Sequence, residues 1–190
     1  MGLALIGVCG ALFLNIRLAP GAAPAVAEPL PSVTERWVEI ARPTPIFALN
    51  SSLFGNARLA YEARRAALGG GRRDTLTFGR FGTVDPYLSL SIHQSGDEPA
   101  RSMPFFVVAA RRAGDAGLAL MRSGQPALLP TWIGTFEVAD IVLADAGRQA
   151  PCLGFRLAQH ETHLRIAGIA CGGDRPLERS DLAHTLDSLT

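Results

Sequence analysis

The stretch CLGFRLAQHETHLRIAGIAC, residues 152–171, decides how the C-terminal third of the chain folds. Two apolar-rich runs, Cys152–Ala158 and Leu164–Cys171, flank a polar loop, which is typical of a β-hairpin. If the loop is centred between residues 161 and 162, Cys152 lies directly opposite Cys171. The α-carbons of opposite residues are about 4.5–5.5 Å apart, a distance that a disulfide can bridge. We therefore predict a disulfide between Cys152 and Cys171.

Such a bond indicates an oxidising compartment, because disulfides rarely persist in the cytosol. The alternative is a pair of buried free thiols in a reduced protein. A redox-active pair usually has C-x-x-C spacing, which these cysteines lack. His160 and His163 lie between them and give the stretch the composition of a zinc set. A hairpin puts its histidines at the turn and its cysteines at the open end, so we predict no metal site.

The N-terminal segment contains an uninterrupted apolar run, Leu3–Leu14. As a helix this run would be about 18 Å long, short of the ~30 Å hydrocarbon core of a membrane. That length is typical of a signal peptide, and Ala25-Val26-Ala27 offers a cleavage site. Arg17 follows the run instead of preceding it, so an uncleaved anchor that contacts the membrane through residues 3–16 is an alternative. A buried helix of a cytosolic domain is another.

We therefore predict a signal peptide or membrane anchor at residues 1–18 and a Pro/Ala-rich linker at 19–35. A single α+β domain at 36–190 would then lie in the periplasm or face it from the inner membrane. With 48% hydrophobic and 18% charged residues, the composition is that of a globular protein. The formal charge is +1, and every basic residue is arginine. A charge so close to zero gives no reason to expect a nucleic-acid partner.

Alternating and helical patterns follow one another along the domain. Strict alternation over Tyr87–His93 predicts a half-buried antiparallel strand. Ser102 and Pro104 predict the start of a helix that ends at Gly114. Ser180 is the predicted N-cap of a closing helix with leucines on one face. Further extended segments are predicted at Trp37–Ile40, Ile46–Leu49, Leu118–Met121 and Phe136–Leu143.

Residues 53–80 leave two structures open. Helix propensity favours a helix over 53–68, whereas the alternation of Leu59, Tyr61 and Ala63 favours a hairpin that turns at Gly69-Gly70-Gly71. With either structure, the fold class is α+β. We expect a mainly antiparallel sheet with one or two packed helices and a C-terminal β-hairpin followed by a short helix.

The same segment carries the candidate binding site. Arginines outnumber carboxylates six to two between residues 58 and 80. Guanidinium groups suit phosphate or carboxylate, and a glycine turn can present backbone N–H groups to an anion. The alternative is an ordinary solvated surface rich in arginine. The candidate anion-binding residues are Arg64, Arg65, Gly70, Gly71, Arg72 and Arg73.

No motif in the sequence predicts catalysis or a cofactor. G-x-S-x-G is absent, and the glycines lack P-loop spacing. Our first hypothesis is a non-catalytic, envelope-associated module that binds an anionic envelope component or a protein. One alternative is a periplasmic hydrolase whose active-site residues are scattered along the chain. The other is a thiol-redox accessory protein.

Four short patterns are shared with a group of bacterial proteins. They are Gly70-Gly71-Arg72-x-Asp74, Gly134-x-Phe136-Glu137, Cys152-x-Gly154-Phe155-Arg156 and Gly168-x-x-Cys171-Gly172. On these residues the chain resembles uncharacterised exported or membrane-anchored proteins of GC-rich Gram-negative bacteria. The resemblance covers roughly residues 37–189. It implies a location in the envelope and no particular activity.

Overall fold

The computed structural model describes residues 36–68, 70–96, 103–158 and 163–190. All of them belong to one unit of contacts, Glu35–Thr190. The predicted N-terminal segment and linker lie outside the described residues. The strands are β1 (Trp37–Glu39), β2 (Leu59–Ala66), β3 (Arg72–Phe78), β4 (Tyr87–Gln94), β5 (Ala119–Ser123), β6 (Ala127–Thr131), β7 (Gly134–Asp145), β8 (Arg148–Leu157) and β9 (Leu164–Cys171). The helices are α1 (Phe105–Asp115) and α2 (Arg179–Asp187).

The described strands form one antiparallel sheet in the order β1-β2-β3-β4-β9-β8-β7-β5, and β6 also pairs with β7. Successive hairpins build β1 to β4 from one edge and β7 to β9 from the other. The two parts of the sheet meet where β4 pairs with β9. The sheet, the two helices and the C-terminal hairpin confirm the predicted α+β class.

One face of the sheet, which we call the α2 face, is packed with apolar side chains. Leu76, Leu90 and Phe155 are fully or almost fully buried there, beneath Leu182 and Leu186 of α2. A close approach across β8 and β9 completes this packing. A Cβ on Gly168 would lie 2.5 Å from the Phe155 ring and 2.5 Å from the Ser89 carbonyl oxygen, so only glycine fits there. The main core of the domain lies on this face.

The opposite face, which we call the α1 face, is apolar over only part of its area. Helix α1 buries Phe105, Ala109 and Ala113 against the sheet, and Ile141 and Ile169 lie in the core there. Strands β2, β3 and the adjoining end of β4 carry mostly polar and charged side chains on the same face. This polar part contains the candidate site.

The structure decides between the two alternatives for residues 53–80 in favour of the hairpin. Strands β2 and β3 pair from Leu59 opposite Phe78 to Arg65 opposite Arg72. Gly70 lies in the turn with a φ of 76°, a left-handed conformation that favours glycine. Helix propensity gave the wrong prediction here, because packing of the strand's apolar side chains on the sheet stabilises residues 59–66 more than a helix would.

Three local predictions differ from the structure. Strand β4 is not half-buried, because the sheet continues on both sides of it and both of its faces are largely covered. Helix α2 begins at Arg179 with Glu178 in the N-cap position, so Ser180 lies inside the helix. Pro104 takes the N-cap position of α1, and Ser102 lies outside the described residues. The sequence pattern predicted no strand at the position of β6.

The remaining strand predictions are confirmed with small changes in their bounds. Residues 46–49 form an extended segment that reaches the end of the domain through a bridge from Leu49 to Leu189. Within the described ranges no helix is both long and apolar enough to cross a bilayer.

Candidate anion-binding site

The register of the sheet places basic side chains in a line across four strands on the α1 face. Arg64 of β2 is opposite Arg73 of β3, Arg73 is opposite His93 of β4, and His93 is opposite Arg165 of β9. Residues opposite one another share a face and lie about 5 Å apart. We call these four residues, Arg64, Arg73, His93 and Arg165, the basic row. Within the row, Arg64 and Arg73 place two like charges directly opposite each other, an arrangement that is unfavourable in itself.

Two carboxylates lie beside Arg64 at the β2 end of the basic row. Glu39 of β1 is opposite Arg64 at one end, and both side chains are exposed. Glu62 approaches Arg64 at 3.9 Å, but these side chains are 65% and 52% exposed. An ion pair so exposed is weak, because water screens it. Within the described residues, no hydrogen bond or ion pair to the side chain of Arg165 is found.

Trp37 of β1 lies over the middle of the basic row. The guanidinium carbon of Arg73 is 4.4 Å from the centre of the indole, within range of a cation–π interaction. The His93 ring meets the same indole edge to face, with centroids 5.3 Å apart. His93 is buried, whereas Arg73, Trp37 and Arg165 are partly exposed. The indole therefore separates the accessible arginines of β3 and β9.

Helix α1 adds a further cation. Arg112 is 17% exposed and forms an ion pair with Asp115 at 2.6 Å. Burial lowers the pKa of the Arg112 guanidinium, and the Asp115 carboxylate partly opposes that shift. The charges of Arg73 and Arg111 lower this pKa further, so Arg112 lies close enough to Arg73 for their charges to interact. Arg112 therefore lies near Arg73, and its own charge is balanced by Asp115.

The neighbouring residue on β3 behaves differently, because alternation turns it to the α2 face. Arg72 Nε and Nη2 donate to the Asp74 carboxylate at 2.9 and 2.7 Å. The Tyr61 hydroxyl donates to the same fully buried carboxylate at 2.8 Å. Tyr61 also accepts a hydrogen bond from the Ile46 backbone N–H at 3.1 Å. This network neutralises Arg72 and ties residues 44–46 to the sheet.

Burial raises the pKa of Tyr61 above its ordinary value, and its hydrogen bond to Asp74 raises it too. The hydrogen bonds to Asp74 raise the pKa of Arg72. Both shifts keep the donors protonated, which is the state that this buried network requires.

The structure does not bring the six predicted anion-binding residues to one surface. Arg64 and Arg73 belong to the basic row, whereas Arg65 and Arg72 are opposite each other on the α2 face. Arg72 is already paired with Asp74. The Gly71 carbonyl accepts the Ala66 N–H, so this backbone group already has a partner within the hairpin. Alternation, which the arginine count ignored, divides the predicted cluster between two faces.

The predicted pairing of the cysteines is confirmed. Cys152 is opposite Cys171 in the β8–β9 register, their α-carbons are 4.3 Å apart, and the two sulfur atoms are bonded. The two residues are 5% and 4% exposed and lie in the core between the sheet and α1. Buried sulfur atoms are shielded from an attacking thiolate, so the geometry suits a structural bond.

Other features of the described residues give weaker indications of a binding site. A groove of about 350 Å³ is lined by β5, β7 and β8, but its carboxylate, Asp140, is paired with Arg179. His163 and His184 are exposed, and His160 lies outside the described residues. No group of three or more metal-ligating side chains was found in the ranges that the structure covers.

Sequence reasoning missed His93, Arg165, Arg112 and Trp37 as members of the site. The pairing of Arg64 with Arg73 could have been predicted from the sequence, because the two residues lie on either side of a single hairpin turn. The pairing of β4 with β9 joins residues far apart in the chain, and no local pattern indicates it.

Comparison of the chain with protein-family models, curated proteins and solved structures gives no match. The functional argument therefore depends on the geometry of the site itself.

Proposed function

We propose that this protein is a non-catalytic, envelope-associated module that binds an anionic ligand on the basic row. The observation that carries the proposal is the alignment of Arg64, Arg73, His93 and Arg165 on one face, across four neighbouring strands. Arg64 and Arg73 are directly opposite each other, and a carboxylate or phosphate bound between them would accept charge-assisted hydrogen bonds from both guanidinium groups.

The chemistry of the site supports recognition more than reaction. Its accessible groups are guanidinium groups, which donate to oxyanions but do not act as nucleophiles or as general bases near neutral pH. Hydroxyls are present on the same face, at Thr75 and Ser91, in the row of residues beside the basic row. The Thr75 hydroxyl is partly exposed and can donate a hydrogen bond to a bound oxyanion, whereas Ser91 is buried.

The proposed location outside the cytoplasm is supported by the buried disulfide, because such bonds form and persist in oxidising compartments. An export segment at residues 1–18 would account for it. Alkylation of thiols in unreduced protein that has been unfolded in denaturant, followed by mass spectrometry, tests the compartment. We expect Cys152 and Cys171 to resist alkylation, and free, alkylated thiols at both positions would contradict an oxidised protein.

Binding can be followed with Trp37 itself. The chain has two tryptophans, and the other, Trp132, is 91% exposed. The backbone N–H of Trp132 donates to Asp187, so Trp132→Phe keeps that bond and leaves Trp37 as the reporter. Titration of this full-length variant with citrate, at constant ionic strength, should give a saturable change in Trp37 fluorescence.

Two further substitutions in that background complete the test. Arg73→Gln should abolish the saturable change, because it removes the central cation beside Trp37. Arg58→Gln removes the same charge about 20 Å away, at ~3.3 Å per residue along β2, and should leave the titration unchanged. Lack of a saturable response in the parent, or an equal response in the Arg73 variant, would overturn the proposal.

A further inference from the structure

We infer that one end of the domain is a membrane-contacting surface, which meets the headgroups and upper acyl chains of an anionic phospholipid bilayer. The surface, which we call the tip patch, consists of Phe106, Arg111, Leu128, Pro130 and Trp132, all of them exposed. The inference goes beyond the proposed function, because the tip patch belongs to α1 and the β6–β7 hairpin and shares no residue with the basic row.

The tip patch exposes large apolar side chains. Trp132, in the turn between β6 and β7, is 91% exposed, Leu128 of β6 is 69% exposed and Phe106 of α1 is 57% exposed. No charged residue occurs over residues 124–136, which include β6 and the turn. Apolar side chains exposed singly are ordinary, whereas a group of them on an uncharged hairpin marks an interaction surface.

The contacts of Arg156 place the start of α1 beside β6. Leu128 is opposite Glu137 near the start of β7, and Glu137 is opposite Arg156, so the three share the α1 face. Arg156 is paired with Glu137 and donates to the Met103 carbonyl oxygen. Its guanidinium carbon lies 5.7 Å from the centre of the Phe105 ring. The first turn of α1 therefore lies at the end of the domain that carries the β6–β7 turn.

The charge beside these apolar side chains is positive. Arg111 Nη1 donates to the Met103 sulfur at 3.1 Å, which holds this guanidinium near the first turn of α1. Within the described residues no carboxylate is paired with Arg111, whereas the next residue, Arg112, is paired with Asp115. A cation beside exposed Trp, Phe and Leu side chains suits an anionic bilayer, where aromatic rings lie at headgroup level and the cation meets phosphate.

Two further observations favour a bilayer over another polypeptide. Pro130 lies on β6 at the edge of the sheet and lacks the N–H that an added strand would need. An anchor formed by the apolar run Leu3–Leu14 would also hold the domain near a bilayer, because residues 15–35 span at most about 70 Å.

The test uses the full-length Trp37→Phe variant, in which Trp132 is the remaining tryptophan, and vesicles of phosphatidylglycerol and phosphatidylcholine brominated in their acyl chains. We expect the emission of Trp132 to shift to the blue and to lose most of its intensity, because bromine quenches an indole only at close range. Phe106→Ser or Leu128→Ser in this background should reduce that loss. Leu68→Ser removes a leucine that is 78% exposed between β2 and β3, and should leave the loss unchanged.

A matched reporter controls for the N-terminal segment, which is present in every variant. In the Trp132→Phe variant, Trp37 should keep its intensity on the same vesicles. If the emission of Trp132 does not change although the chain sediments with the vesicles, or if Trp37 is quenched equally, the inference is overturned. A blue shift of Trp132 that grows with protein concentration in the absence of vesicles would identify a second copy of the chain as the partner and would also overturn it.

The anionic lipid is tested separately. Arg111→Gln, and vesicles of brominated phosphatidylcholine alone, should each reduce the quenching of Trp132. Equal quenching with and without phosphatidylglycerol would overturn the choice of an anionic bilayer. None of these results depends on the citrate titration, so the failure of this inference and the failure of the proposed function are distinguishable.

Discussion

Arg72 and Arg73 are neighbours in the chain, yet the two faces of strand β3 give them opposite roles. On the α2 face, Arg72 is held by a buried carboxylate and a tyrosine hydroxyl. On the α1 face, Arg73 lies against other cations and an indole. One face uses charge to close the domain, and the other accumulates charge at a surface. The comparison shows that the sequence position of an arginine says little until the strand register is known.

The largest loss of stability is expected from a substitution on the α2 face. Asp74→Ala would leave the Arg72 guanidinium and the Tyr61 hydroxyl without their shared, fully buried acceptor. Removal of one partner from a buried pair costs about 3–5 kcal/mol, and the partial exposure of Arg72 places the expected loss near 3 kcal/mol. Urea unfolding of the oxidised full-length chain measures it.

Two variants keep this prediction testable if the alanine variant does not fold. Tyr61→Phe removes a single hydrogen bond and should cost about 1 kcal/mol. Asp140→Ala breaks a matched Asp–Arg pair in which Asp140 is 73% exposed, and should cost less than about 1 kcal/mol. Equal losses for Asp74→Ala and Asp140→Ala would refute a special role for the buried network.

A loss of stability of similar size is expected at the apolar end of the α1 face. Replacement of both Cys152 and Cys171 by alanine should lower the free energy of unfolding by about 3 kcal/mol, the value expected for a closed loop of this length. Citrate affinity, followed by Trp37 fluorescence in the folded variant, should stay within about twofold, because the disulfide and the basic row occupy different parts of the sheet. A loss of binding in a folded variant would argue that the two regions are coupled.

The smallest effect on stability is expected at Arg64. Arg64→Thr should change the free energy of unfolding by less than about 0.5 kcal/mol, because the lost repulsion by Arg73 is offset by the lost attraction of Glu39 and Glu62. The same change should weaken citrate binding. Urea unfolding measures the stability and Trp37 fluorescence measures the binding. A loss of more than about 1 kcal/mol would show that Arg64 contributes packing to the fold.

The sequence predicted those parts of this molecule that depend on local pattern. The two hairpins follow from alternation and a single turn, and Cys152 meets Cys171 because their separation fits one loop. Strand β6 was missed because its apolar run is short and contains Pro130, which is tolerated where the strand lies at an edge.

The candidate site was predicted only in part, because only some of its residues are placed by local sequence pattern. Arg64 and Arg73 were named, but Arg165 and Arg112 reach the site from distant parts of the chain. Their positions depend on the pairing of β4 with β9 and on the packing of α1, which are tertiary interactions. Counting arginines in a sequence window also included Arg72, whose side chain points to the other face.

The most direct test of the account is a titration of the arginine side-chain Nε–Hε resonances with citrate at constant ionic strength. The account predicts saturable shifts for Arg64, Arg73 and Arg165, with Arg58 and Arg148 unaffected. Uniform small shifts at all arginines, or saturation at arginines outside the basic row, would contradict it.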